Sequence, residues 1–417
     1  MTTDMGTAQP ETAASDWRAT VDGCELSERT EPSTRTVADR RLVALYMAAV
    51  FLFWASLYFY VPTLSVYVES KTTSLALVGV VLAMYGLWQA IIRLPLGIVA
   101  DWVGRRKPFI IGGFVFAAIG ALTMGLARGV AGLAIGRAFT GFAASAWVLL
   151  VVAYSGLFPP EDAVRASAML SAVNAIARMI VSSLNGWLNT LGGYSLPFYL
   201  AAGTAILAMG VMCLVREPRR ELTPRTWHDV GKLISRRDVL IPSFLGAVAQ
   251  YAIWSSTFGF STNLAKNLGA TDVMLSILVS MNIGLVTLGN LATTAAVKKV
   301  GANRLVALSF VFVALGLGAL ALAKGLPLVF AGQILMGLAS GVGYPVLMGL
   351  SIRYVDDAQR ATAMGLYQAV YAIGMFAGPW LSGIAADALG IQPMFAVTGI
   401  VCLILGFGGT RLLGSDQ

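Results

Sequence analysis

The sequence predicts an all-α integral membrane protein, with twelve transmembrane helices arranged as two pseudo-symmetric six-helix bundles. Three observations predict it. Of 417 residues, 57% are apolar and only 12% are charged, where a soluble domain carries about 25% charged residues. The apolar residues gather into twelve stretches, each about long enough to cross a bilayer as a helix. The two halves of the chain also match one another in order.

The first six stretches fall near 42–66, 75–97, 108–127, 131–157, 167–187 and 195–215, and form an N-terminal bundle over 41–215. A charged interruption at 216–239, containing Pro218 and Pro224, reads as a central cytoplasmic loop. Six more stretches follow near 240–262, 271–296, 303–323, 327–350, 362–386 and 392–413, giving a C-terminal bundle over 240–413. Residues 1–40 are polar and rich in Thr, Glu, Ala and Ser, which predicts a disordered cytoplasmic tail and no signal peptide. Residues 414–417 form a second short tail.

Arginine and lysine set the orientation. They crowd alternate loops, at Arg40 and Arg41, Arg105 to Lys107, Arg165, Arg216 to Arg237, Lys298 to Arg304, Arg353, Arg360 and Arg411. The other loops hold only Lys71, Arg128, Lys266 and Lys324. Both termini are therefore expected to be cytoplasmic, in a cytoplasmic (inner or plasma) membrane. The net charge of +8 is a topology signal and implies no nucleic-acid partner. Cys24, Cys213 and Cys402 are scattered and odd in number, and the sole histidine, His228, has no catalytic company. No metal site, cofactor or enzyme activity is expected.

The internal matches run at nearly constant offsets. Trp54-Ala-Ser56 with Tyr60 and Leu64 matches Trp254-Ser-Ser256 with Phe260 and Leu264. Gly136-Arg137 with Gly141 matches Gly332-Gln333 with Gly337, and Asp162 to Met169 matches Asp357 to Met364. Parallel repeats of this kind place a solute site near the midplane between halves that rock against each other.

Polar residues inside apolar helices then mark the candidate site. Arg178 lies near the middle of the fifth helix, in a helically spaced stripe with Asn174, Ser182, Asn185 and Asn189. The stripe reads as a cavity wall, with Arg178 presenting charge to a substrate, against the alternative of a polar seam. Arg137 lies deep in the fourth helix. Arg93, one turn from the predicted end of the second, reads first as a side chain reaching for the interface, against the alternative of a cavity-facing stripe with Tyr85 and Gln89. No carboxylate lies at that depth, which predicts a cavity of positive potential favouring small anionic solutes. Trp54, Tyr58, Gln250, Trp254, Asn282, Tyr344, Gln368 and Tyr371 complete the expected substrate-binding set.

Residues 97–107, Gly-Ile-Val-Ala-Asp-Trp-Val-Gly-Arg-Arg-Lys, resemble the cytoplasmic signature loop of the major facilitator superfamily. The resemblance implies a solute transporter working by alternating access, commonly as a monomer, with protons as the default coupling ion. It also implies a latch built on Asp101 and pairing across the halves, with Gly97, Gly104, Arg105, Asp162, Arg165, Asp357 and Arg360 as its remainder. Arg106 and Lys107 read as topology signals alone. Arg137-x-x-x-Gly141 is similar to the family's fourth-helix motif, whose arginine is associated with proton coupling in antiporters, although Thr140 stands where a glutamine is usual. Gly378-Pro379 in the eleventh helix permits bending. The fifth helix lacks the Gly-Pro motif of the drug-exporting antiporters. The leading expectation is a secondary transporter for a small organic solute, anionic by preference and coupled to ions or protons; the alternative is a proton-driven efflux pump for drugs or amphipathic metabolites. Its partners are expected to be that solute and membrane lipid.

Overall fold

A computed structural model describes residues 1–2, 40–159, 162–217, 231, 233 and 235–413. The N-terminal tail, most of the central loop with His228, and the last four residues lie outside them. Among the described residues, twelve helices are long and apolar enough to cross a membrane: α1 (Arg40–Glu69), α2 (Leu75–Val103), α3 (Lys107–Leu126), α4 (Val130–Ser155), α5 (Arg165–Gly192), α6 (Ser195–Leu214), α7 (Arg237–Asn267), α8 (Asp272–Val300), α9 (Ala302–Ala321), α10 (Leu326–Ile352), α11 (Thr362–Leu389) and α12 (Ile391–Thr410). Below, the loops rich in arginine and lysine define the basic face; the other loops define the opposite face.

Local chemistry ends these helices where they end. The Ser74 hydroxyl accepts from the Leu77 N–H at the start of α2, and Thr271 does the same for Met274 at the start of α8. Asp272 in the first turn of α8 and Lys298 and Lys299 in its last complement the helix dipole. Gly104 stops α2 at φ 68°, a left-handed turn in which a side chain would be strained.

Two helices break at matching places. In α1, Phe59 and Tyr60 form a turn between Tyr58 and Val61, because Pro62 offers no N–H and its ring crowds the Tyr58 carbonyl. In α7 a π-helical segment, Ser256–Phe260, carries Gly259 at φ −113°, ψ −107°. A Cβ on Gly259 would lie 2.6 Å from the Trp254 carbonyl oxygen, so only glycine fits. These breaks are 200 residues apart, the offset of the sequence repeat.

The same repeat governs packing. In the first half α3 packs on α4 and α6, and α2 on α4; in the second, α9 packs on α10 and α12, and α8 on α10. Gly120 and Gly136 bring α3 and α4 backbone to backbone, as Gly316 and Gly332 do for α9 and α10. Close backbone approach maximises van der Waals attraction, the main drive where lipid is as apolar as the helices. Leu126, Leu207, Leu291, Leu322 and Ile404 remain more than half exposed, which suits a bilayer and no aqueous surface.

The halves meet along two seams, α2 against α11 and α5 against α8. Gly79 and Gly86 of α2 lie directly on the α11 backbone at Pro379 and Met375–Phe376, and Gly186 of α5 lies on the backbone of Asp272. Gly374 and Gly378 turn the other side of α11 onto α7 at Ala247 and Tyr251. Gly97 has no such role: a Cβ there would meet open space.

Replacing Gly86 with leucine forces side-chain atoms into the α11 backbone, at a cost of about 1–3 kcal/mol. Gly86→Leu is expected to lower the melting temperature of the detergent-solubilised protein. Gly203→Leu, where nothing lies within 4 Å, should leave it unchanged. Thermal unfolding followed by tryptophan fluorescence distinguishes the two.

Candidate substrate cavity and gates

Between the halves, around the two helix breaks, lies a cavity of about 260 Å³. Its wall includes Trp54, Tyr58, Asn174, Arg178, Gln250, Trp254, Asn282, Tyr344 and Tyr371, nine of the residues expected from sequence. Arg178 holds its guanidinium 4.2 Å from the Tyr58 ring centroid and 5.7 Å from that of Trp54. Rings can support a cation in this way without neutralising it.

Arg93 corrects its expected place. Helix α2 continues to Val103, beyond the predicted end at 97, so Arg93 sits well inside it and is only 4% exposed. Its guanidinium donates to the Tyr371 hydroxyl at 2.7 Å and to the Gln89 side-chain oxygen, and lines the cavity. Gln89 and Tyr85, one and two turns before Arg93 on the same face of α2, line the cavity as well, as does Asn290 of α8; Tyr85 stacks on Trp254 across the halves at 5.2 Å.

The fifth-helix stripe divides. Ser171, Asn174 and Arg178 line the cavity. Asn185 does not: its amide donates to the Phe59 carbonyl, opened by the break in α1, and its oxygen accepts from Thr63. A buried carbonyl released from a helix must find a partner, so this part of the stripe is a seam. Gln368 also falls outside the cavity wall, half-buried in α11.

Arg137 is 2% exposed and lies outside the cavity wall, 4.1 Å from the Tyr85 ring centroid. Gly141 makes room for this layer, since a Cβ there would lie 2.6 Å from the Tyr85 carbonyl oxygen. The repeat partner of Arg137, Gln333, is bonded by Thr257 and Asn282. Thus two arginines, rather than three, face the cavity.

Polar ties join the halves on the opposite face. Asn263 of α7 donates to Glu69 and accepts from Ser65, both on α1. Asp272 of α8 takes Asn189 of α5 at 2.9 Å and Lys266 at 2.7 Å. Burial, then the adjacent Asp272 charge, push the Tyr194 hydroxyl up to about 12, so it stays protonated beside that carboxylate. Asp387 of α11 accepts from the Ser74 hydroxyl at 2.6 Å and the Leu75 N–H at 2.7 Å, capping α2. Glu69 and Asp272 are thereby engaged in closing this face.

On the basic face Asp101, in the last turn of α2, pairs with Arg106 at 3.0 Å, within its own half. Arg106 is thus more than a topology signal. Lys107 also has a structural role, donating to the carbonyls of Cys213 and Val215 at the end of α6. In return the Glu217 carboxylate accepts from the Arg106 and Lys107 N–H groups at the start of α3. Arg105, Asp162, Arg165 and Arg360 are exposed, while Asp357 is the first residue of the helix that continues through α11 to Leu389.

The family model of the Major Facilitator Superfamily matches residues 46–263 and again 243–415. The chain belongs to the major facilitator superfamily. An uncharacterized MFS-type transporter of Methanocaldococcus jannaschii is 21% identical over 374 residues, spanning 86% of this chain and 96% of that protein. The inner membrane transport protein YajR of Escherichia coli is 35% identical over 92 residues, 22% of this chain and 20% of that protein. In fold, the nucleoside transporter NupG superposes with a TM-score of 0.75 at 16% identity, covering 90% of this chain and 100% of that one. A bacterial homolog of the human lysosomal transporter Spinster, inward-facing and unoccupied, gives 0.75 at 14%, covering 90% and 98%. The human organic anion transporter TETRAN gives 0.68 at 15%, covering 90% and 99%. The protein is a multi-pass membrane transporter and not an enzyme.

Asn263→Ala leaves Ser65 and Glu69 without their partner, which costs the closed arrangement about 1–3 kcal/mol. In a background with Cys24, Cys213 and Cys402 replaced by serine, the expected result is faster labelling of Phe258→Cys by an impermeant maleimide added on the Glu69 side. About 1 kcal/mol corresponds to a roughly fivefold rise.

Proposed function

We propose that this transporter moves small organic anions by alternating access, acting as a monomer in the cytoplasmic membrane with its basic face inside. The observation that carries the reading is Arg178, a cation supported by two rings in a cavity whose wall contains no carboxylate. A charge of this kind in a low-dielectric wall attracts anions and repels organic cations. With the opposite face tied shut by Asn263, Asp272 and Asp387, the arrangement corresponds to an inward-facing state. Coupling to protons would run through the substrate's own acid group or through Glu69 and Asp272 at the opposite face. The gating set keeps Asp101, now with Arg106, as the latch of the basic face.

The aromatic wall favours a second reading, a proton-driven exporter of amphipathic drugs or metabolites. That reading expects cells expressing the protein to gain resistance, and to lose it with Asp101→Asn.

In proteoliposomes, uptake of weak organic acids should fall at least tenfold in Arg178→Ala while the variant still inserts and elutes as a single species. Unchanged uptake in that variant would remove Arg178 from the substrate site.

A further inference from the structure

The two arginines of the cavity stand on different seams. Arg93 belongs to α2 and bonds Tyr371 of α11; Arg178 belongs to α5, the helix that packs on α8. The α2–α11 and α5–α8 seams flank the cavity on its two sides, with the aromatic residues of α1 and α7 between them. Neither arginine meets a carboxylate there: the cavity wall contains no Asp, Glu, Lys or His. Each also keeps a buried Nε–H without a hydrogen-bond partner, although Arg93 is 4% exposed and otherwise bonded. On the Arg178 flank the side-chain oxygens of Asn174 and Asn290 are likewise buried and unpartnered.

Buried polar groups in native proteins are nearly always satisfied, and an uncompensated buried charge is destabilising. A monoanion answers one guanidinium and leaves the other. A phosphate monoester brings two charges, but to one end. We infer that the substrate is a dianion with its charges at opposite ends of a compact apolar spacer, an α,ω-dicarboxylate in chemical class. Arg178 takes one carboxylate and Arg93 the other, each through the fork geometry that suits carboxylates. The spacer packs against the edges of the Tyr85 and Trp254 rings, whose faces are stacked on each other. The cavity, about 260 Å³, keeps that spacer short. This assignment rests on the anion reading above and deepens it.

The test compares succinate, adipate and terephthalate with their monomethyl esters and with phenyl phosphate. Binding to the full chain in detergent is read by thermal shift, and transport by counterflow in proteoliposomes. At least one diacid should bind tenfold or more tighter than its monoester, and phenyl phosphate no tighter than the monoesters. Arg93→Gln should bring that diacid down to the level of its ester. Arg93→Lys, which keeps the charge and the fold, should retain most of the difference. Equal binding of diacids and esters, or a preference that survives Arg93→Gln, overturns the two-ended assignment. If the esters then still depend on Arg178, the anion reading stands alone. If no carboxylate binds, both fall.

Discussion

Two guanidinium groups sit in a low-dielectric cavity with no protein carboxylate to answer them, and the surrounding architecture is organised around that condition. Rings take the place of counter-charges: Tyr58 and Trp54 carry Arg178, and Tyr371 accepts from Arg93 through its hydroxyl. A π-face lowers the energy of a cation without cancelling its field. The acidic residues are instead placed at the edges. Asp101 stays at the end of α2 on the basic face, while Glu69, Asp272 and Asp387 close the opposite one. Charges that attract and charges that latch are therefore kept apart, and neither weakens the other.

The breaks in α1 and α7 make this separation possible. A continuous helix satisfies its own backbone and presents a uniform wall; a broken one turns carbonyls and side chains in new directions. Pro62 breaks α1, and Asn185 answers the Phe59 carbonyl that results. In α7 the π-helical turn does the same work with Gly259. Tyr58 and Phe258, residues related by the repeat offset of 200, touch each other at 6.1 Å between ring centroids. Equivalent positions of two copies can meet only close to the axis relating them, so the cavity is built on that axis.

Much of this was legible in the sequence because bilayer thickness and repetition act on whole segments. Helix positions follow from apolar length, and the halves from Trp54/Trp254 and Gly136/Gly332. Depth was readable for Arg178, which lies far from either end of a long stretch. It misled for Arg93, because the last residues of α2, Asp101 among them, look like loop but remain helical. Helical spacing placed Asn174 and Asn185 on one face of α5, yet spacing says nothing about what a face meets along its length. One stretch meets the cavity and the next meets a broken helix. The pairing of Lys107 with the end of α6, and of Glu217 with the start of α3, joins residues more than a hundred positions apart. No local pattern encodes such contacts.

One stack of side chains crosses the whole width of the junction: Arg137, Tyr85, Trp254, Phe258, Tyr58 and Arg178, each in contact with the next. Five of its members line the cavity, and Trp254 and Phe258 of the second half stand between two pairs from the first. Such a stack is a dry bulkhead with a cation riveted at each end, which holds back water and small ions while the cavity fills. When the halves swing, the bulkhead must part at Tyr85–Trp254 and at Tyr58–Phe258 together. Leakage is suppressed by the same rings that support the cargo's anchor.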